Sequence, residues 1–240
     1  MKKYQALGMM SGSSLDGVDI AAADFLLDDQ NQLQSWSLIA AETIAYNDAW
    51  IERLKTLPAA SAKTYAQTHA DLGALLGQMV RQFVEKHQLK PDLVASHGHT
   101  VFHHPESQMT AQIGDGAAIA AATGMQVVSD FRTQDLAKGG QGAPLAPLAD
   151  RYLFPGYDFY LNLGGIANIS SNTGSSFVAF DIGAANQLFN ALAQRAGQAF
   201  DEGGKIAASG QLLPALLQTA CQNPFYQLDY PKSLDNQWVQ

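Results

Sequence analysis

Residues 8–19, Gly-Met-Met-Ser-Gly-Ser-Ser-Leu-Asp-Gly-Val-Asp, join two apolar stretches through a turn of small residues, and the pattern returns near residue 158. Residues 4–10 and 17–26 read as strands on either side of this turn, and 36–45 as a third strand. In the second half, 158–163 read as a strand, Gly164-Gly165 as a turn, 166–170 as a returning strand and 177–181 as a third. Two halves that both begin with strand, small-residue turn, strand, strand suggest a duplicated fold whose two turns face one another across a cleft. Backbone N–H groups in such turns can cradle phosphate oxygens, and Asp16 and Asp19 beside the first turn suit a magnesium ion. The plain alternative is a pair of unrelated glycine hairpins with capping aspartates.

Between the two turns the chain alternates strands and helices. A long helix is expected around 61–88, because Tyr65, His69, Leu72, Leu76, Met79 and Phe83 recur at steps of four and three. Pro91 is expected to end it, with 92–96 resuming as a buried strand. Residues 110–113 and 126–128 read as short strands flanking a small-residue helix over 117–122, and another helix starts near Asn186. The expectation is α/β with a partly parallel sheet. Gly139-Gly-Gln-Gly-Ala-Pro144 is the clearest break, which places an N-terminal lobe at 1–145 and a C-terminal lobe at 146–240.

Composition narrows the function classes. With 47% hydrophobic and 15% charged residues, the 240-residue chain has the makings of a packed core. A net charge of −8 without a Lys/Arg run argues against nucleic acid, and no apolar run approaches the ~20 residues that span a bilayer. Cys221 stands alone, so no internal disulfide forms, and a cytoplasmic location is expected.

Three groups of residues could carry chemistry. Asp181 ends an apolar strand ahead of small residues, where a general base can face a crevice; a cap for the following helix is the competing role and is slightly favoured. Asp130 and Arg132 read either as an ion pair or as ligand-facing groups, the guanidinium fork suiting a carboxylate or phosphate. His97, His99 and His103 share one face if the strand is regular, which raises a metal site, but the usual carboxylate partners are lacking and histidines of a polar pocket or of the surface are the favoured reading. His69, on the apolar stripe, reads as a satisfied core histidine.

The ordered segments Met10-Ser-Gly-Ser-Ser-Leu-Asp-Gly-Val-Asp19, Ser96-His-Gly-His-Thr100, Ser129-Asp-Phe-Arg132, Gly139-Gly-Gln-Gly-Ala-Pro-Leu145, Leu161-Asn-Leu-Gly-Gly-Ile-Ala-Asn168 and Phe180-Asp-Ile-Gly-Ala-Ala-Asn186 resemble the signature set of anhydro-N-acetylmuramic acid kinases. Ala207-Ala-Ser-Gly210 and Pro231-Lys-Ser233 extend the likeness. It implies the duplicated two-lobe, ribonuclease H-like fold of the sugar kinase, Hsp70 and actin superfamily. It also implies ATP-dependent conversion of 1,6-anhydro-N-acetylmuramic acid to N-acetylmuramic acid 6-phosphate, with magnesium, in cell-wall recycling. Asp181 matches the base that activates water; Thr100, Asp130 and Arg132 match the amino-sugar site. Gly12, Ser13, Ser14, Leu15, Asp16, Gly17, Val18 and Asp19, with Gly164 and Gly165, match the ATP phosphate site. A homodimer is compatible with the likeness.

The chain departs from the family pattern at Ile182-Gly-Ala-Ala185 after the matched base, and at His99, where the family usually has Gln. Family members also continue past the position of Gln240, so an incomplete second lobe is expected. The alternatives are a non-catalytic sugar- or nucleotide-binding remnant and, behind it, a His-cluster metallohydrolase.

Overall fold

Two apolar strands, Lys2–Ser11 (β1) and Gly17–Leu27 (β2), pair antiparallel from Lys2 opposite Leu27 to Ser11 opposite Val18, and Leu33–Ala45 (β3) pairs antiparallel with β2. The computed structural model describes residues 1–12, 15–172, 177–230 and 232–234. Ser13 and Ser14, which the sequence reading placed at the phosphate turn, lie outside the described residues, as does Pro231. The chain forms two compact units, Met1–Ala143 and Pro144–Gln240.

In the first unit the β1–β2–β3 meander is extended by Leu93–His104 (β4), parallel to β1, and then by Met109–Ile113 (β5), antiparallel to β4. Gln126–Ser129 (β6) pairs parallel with β4 from Leu93 to Ser96. The mixed sheet is the partly parallel α/β arrangement that alternating strands and helices require.

Asp48–Thr56 (α1), capped by the Asn47 side chain on the Trp50 N–H, was not expected from the sequence. Ala62–Lys86 (α2) starts at Ser61, whose hydroxyl accepts from the Thr64 N–H. Its buried stripe, Leu72, Leu76, Met79, Val80 and Phe83, packs with Leu7, Val18, Ile20, Val94, Ile113 and Ile119 to form the core. The helix ends at Lys86, short of the expected boundary. Gln88 turns left-handed at φ +53° and Leu89 N–H returns to the Val84 carbonyl, so the chain has left the helix before Pro91.

Gly116–Thr123 (α3) lies against α2 closely enough that a Cβ on Gly73 would sit 2.5 Å from the Asp115 carbonyl oxygen. Thr133–Ala137 (α4) follows β6.

The strand expected over 92–96 runs on to His104. The burial alternation that holds for Val94 and Ser96 fails after His97, where Gly98 adopts φ +71° and is followed directly by buried His99. A Cβ on Gly98 would lie 2.3 Å from the Ile113 carbonyl oxygen, so the kink demands glycine.

The second unit opens with Ala146–Leu153 (α5), then Phe159–Leu163 (β7), Ile166–Ser171 (β8) and Val178–Ala184 (β9) as an antiparallel meander in the order β7-β8-β9. Asn186–Arg195 (α6), Lys205–Ser209 (α7) and Pro214–Cys221 (α8) complete it. Among the described residues, its buried hydrophobic side chains are Ala167, Ala185, Ala193 and Phe225. No helix among the described residues is long and apolar enough to cross a membrane.

Candidate functional site

A cavity of about 430 Å³ opens in the first unit where β4, β5 and β6 meet the start of α3. Its wall includes His69, Ser96, His97, Gln112, Asp115, Ser129 and Asp130 beside apolar Ile113, Ala117, Ala120 and Val127. The glycines of α2 bring α3 in, and the Asp115 side chain caps α3 by accepting from the Ala117 N–H at 2.8 Å. The Ser96 hydroxyl is buried with no hydrogen-bond partner among the described residues.

His69 is satisfied, as the sequence reading expected: its Nδ1 accepts from the Gly114 N–H at 3.2 Å, which leaves the ring proton on Nε2. It nonetheless lines this cavity, a position that the apolar stripe of α2 did not announce. Gln112, Asp115 and Ser96 were also missed as cavity residues. Gln112 gave no signal in the sequence, because the register that sets it opposite Thr100 depends on β4 running on past residue 96.

The histidine face that a regular strand would make does not form, and His97 lies instead on the cavity wall. Arg132 Nε–H donates to His97 Nε2 at 2.9 Å, the Ser11 hydroxyl meets His99 Nδ1 at 3.0 Å, and the Thr110 hydroxyl meets His103 Nδ1 at 3.1 Å. The Gly98 kink breaks the alternation that would set the first two rings on one face, since that alternation holds only in a regular strand. Among the described residues no group of three His, Cys, Asp or Glu could hold a metal ion, so the metallohydrolase alternative lacks its ligands there. Burial holds the His97 pKa down at about 4, with the Arg132 charge adding to the effect. Burial also lowers the His99 pKa, against an opposing hydrogen bond to the Ser11 backbone.

Asp130 and Arg132 are not an ion pair: no ion pair of Arg132 is present among the described residues. Asp130, left-handed at φ +61°, accepts from the Thr133 N–H at 3.3 Å and lines the cavity. The Arg132 Nη1 donates to the Gly142 carbonyl at 3.0 Å, and the Gly142 N–H in turn donates to Asp135 at 2.7 Å. The Thr100 hydroxyl accepts from Gln112 Nε2 at 3.3 Å.

Around the first turn, Leu15 is left-handed at φ +58° and its N–H reaches the Gly12 carbonyl at 3.3 Å. Gly17 passes so close to β3 that a Cβ would meet the Ile44 carbonyl oxygen at 2.4 Å. The Val18 side chain is wholly in the core, which leaves its backbone, already in the β ladder, as the part nearest the turn. Asp19 accepts from the Thr43 hydroxyl at 2.6 Å, and Asp16 also has a partner.

In the second unit Asp181 is neither at a strand end nor a helix cap. β9 continues to Ala184, and α6 starts from Ala185 with no side-chain cap. The carbonyls of Gly164 and Gly165 do that work, accepting from Ala185, Asn186 and Gln187 N–H groups at 3.0–3.2 Å. The slightly favoured reading of Asp181 as a cap is therefore corrected: the glycine turn caps the helix and frees the aspartate. Asp181 instead pairs with residues 232–234, its N–H donating to the Lys232 carbonyl and its Oδ2 accepting from the Leu234 N–H at 2.8 Å. Burial raises its pKa above the ordinary carboxylate value, and the Leu234 N–H pulls the other way.

The family model described as anhydro-N-acetylmuramic acid kinase matches residues 4–238. A relative of that name from Haemophilus influenzae is 37% identical over 246 residues, covering 97% of this chain and 63% of that protein. One from Shewanella denitrificans is 40% identical over 241 residues, covering 95% and 64%. One from Methylorubrum extorquens is 35% identical over 262 residues, covering 99% and 70%. The chain thus spans a little under two thirds of the length of the first two. With the ordered motifs and the mixed α/β fold, these matches show that the chain belongs to the anhydro-N-acetylmuramic acid kinase family.

Proposed function

We propose that this chain acts in the cytosol on 1,6-anhydro-N-acetylmuramic acid, opening its anhydro bridge with water and transferring the γ-phosphoryl group of ATP to the freed 6-oxygen. Asp181 takes a proton from water as the water oxygen bonds to the anomeric carbon. The bond from that carbon to the 6-oxygen breaks, and the 6-oxygen attacks the γ-phosphorus as ADP leaves. Thr100, Asp130 and Arg132 hold the sugar. The backbone from Gly12 to Asp19 and at Gly164 and Gly165 receives the phosphates, and the carbonyls of those two glycines are already committed to α6, which fixes the turn. Asp16 and Asp19 are the residues that would hold magnesium; one or two carboxylates beside substrate phosphates fit that ion, which shields phosphate charge.

The observation that carries the proposal is the setting of Asp181. Its carboxylate is half-buried on a strand, held by one backbone N–H on Oδ2, and relieved of the helix-capping role. Such a group is a positioned base whose proton affinity is higher than that of an exposed aspartate.

A coupled ADP-release assay with the anhydro sugar tests this. Turnover should be present in the full chain and fall by at least about a hundredfold in Asp181→Asn, with ATP affinity little changed. A second reading, a binding remnant without catalysis, is favoured by the exposed apolar side chains of the second unit, Phe159, Leu161 and Leu163 among them. Sugar binding by calorimetry without turnover would select it.

A further inference from the structure

Arg132 is a cation partly withdrawn from water with no carboxylate against it among the described residues. Its Nε and Nη1 groups are committed to His97 and to the Gly142 carbonyl, and its Nη2 makes no hydrogen bond among the described residues. A guanidinium in such a place ordinarily takes an acid as its partner, because desolvating an uncompensated charge is costly. Here an imidazole stands where the acid would be. Accepting from Arg132 requires a lone pair on His97 Nε2, so the ring proton sits on Nδ1, 3.2 Å from the Gly98 carbonyl. The other side of the fork is equally fixed. The N–H of Gly142 is bound by Asp135, its φ is +65°, and a Cβ there would lie 2.7 Å from Leu136 Cδ1.

We propose that His97 is a positioning residue that aims the Arg132 guanidinium without neutralising it, keeping a preoriented positive fork for one anionic group of the ligand. An aspartate or glutamate at this place would orient the guanidinium as well and cancel its charge. A neutral ring supplies the orientation alone, and the free Nη2 edge is left to an oxyanion. The inference rests on the proposed function for the claim that Arg132 meets the substrate. Two groups share the required chemistry, the lactyl carboxylate of the muramic sugar and the transferring phosphoryl group.

Calorimetry on the full chain separates them, titrating the anhydro-muramic sugar alone, magnesium ATP alone, and the neutral 1,6-anhydro-N-acetylglucosamine that lacks the carboxylate. His97→Gln, neutral and able to accept through Oε1, should bind within about threefold of wild type. His97→Glu should weaken by roughly 10- to 100-fold whichever ligand carries the anion, and leave the neutral sugar unchanged. Loss with the muramic sugar identifies the carboxylate; loss with ATP identifies the phosphoryl group. Equal weakening by both variants, or none by His97→Glu, overturns the proposal.

Nitrogen-15 spectra of the His97 ring decide it independently of any ligand. The ring should stay neutral and protonated on Nδ1 from pH 8 down to 5, and an Nε2-protonated or fully protonated ring in that range overturns the proposal. The groups that bear on this titration are Arg132, His99 on the same strand, and His69, Asp115 and Asp130 on the cavity wall. A wild-type chain that binds none of the three ligands sinks the proposed function, while the spectra still judge His97.

Discussion

Each unit holds a three-stranded antiparallel meander, which opens the first unit and follows α5 in the second, and the two are clothed differently. In the first, the meander is widened by parallel β4 and β6, and α2 lays a continuous apolar stripe on it, so that Leu7, Val18, Ile20, Leu76 and Phe83 are almost wholly shielded. In the second, alternate residues of β7, Phe159, Leu161 and Leu163, remain 56–62% exposed. A meander covered along its face has a continuous core; one whose first strand is left exposed keeps a smaller one, here Ala167, Ala185, Ala193 and Phe225. The difference teaches that the shared motif sets geometry while the covering helix sets stability.

Truncating matched apolar residues is the most forceful way to break this comparison. Phe83→Ala should cost about 3–5 kcal/mol in urea unfolding of the full chain, since it empties a close-packed site. Leu161→Ala should move the midpoint by no more than about 0.5 kcal/mol, because the side chain it removes already faces water. Similar losses for both would mean that the β7 face is covered in solution.

Acid provides the next largest effect. The folded pKa of His97 is depressed from 6.5 to about 4, so the neutral ring belongs to the native state. Its contribution is complete above pH 6.5 and is lost as pH falls toward 4, where protonation favours the unfolded chain. Wild type should lose roughly 2–3 kcal/mol across that window that His97→Gln does not lose. Parallel stability profiles for the two proteins would remove the buried neutral ring from the account.

A smaller contrast comes from glycine. Gly73→Ala places a methyl 2.5 Å from the backbone oxygen of Asp115, which has no freedom to swing away, and should cost about 1–3 kcal/mol by prising α3 from α2. Gly164→Ala meets nothing nearer than the Ile166 carbonyl oxygen at 3.4 Å and should be tolerated within about 0.5 kcal/mol. Thermal melts of the pair check both values, and equal shifts would contradict the close helix approach.

Much of this architecture was legible in the residues. The period of α2, the strands on either side of the first turn and the turn at Gly164-Gly165 are local patterns, and the structure repeats them with boundary shifts of a few residues. What escaped was decided at long range. The strand through the histidines bends at Gly98 because β5 leaves no room for a Cβ, a fact that lies fifteen residues away at Ile113. The helix α1 is short, and its Asn47 cap was its main local mark. Asp181 was misread as a cap because two carbonyls from the turn at Gly164 and Gly165 satisfy α6, an arrangement that depends on how β7 and β8 return beside β9. The pairing of Arg132 with His97 joins β4 to the loop after β6 and has no local signature at all.

The same long-range setting predicts that the two units answer pH with opposite signs. Burial raises the folded pKa of Asp181, so the native state favours the protonated form more than the unfolded chain does and ionisation opposes folding. Stability is then highest below the ordinary carboxylate pKa of 3.8 and declines as pH rises through the raised folded value, the reverse of the His97 profile. Asp181→Asn keeps an oxygen for the Leu234 N–H and removes the charge, so it should flatten that decline and leave the variant at least as stable as wild type near neutrality. The effect is smaller than that of His97 because the carboxylate retains access to water and one N–H already favours its charged form. Stability measured from pH 3 to 7 on wild type, His97→Gln and Asp181→Asn isolates each slope. An Asp181→Asn variant that is less stable than wild type at pH 7 would show the carboxylate to be structurally paired, and would transfer the second unit's site from chemistry to packing.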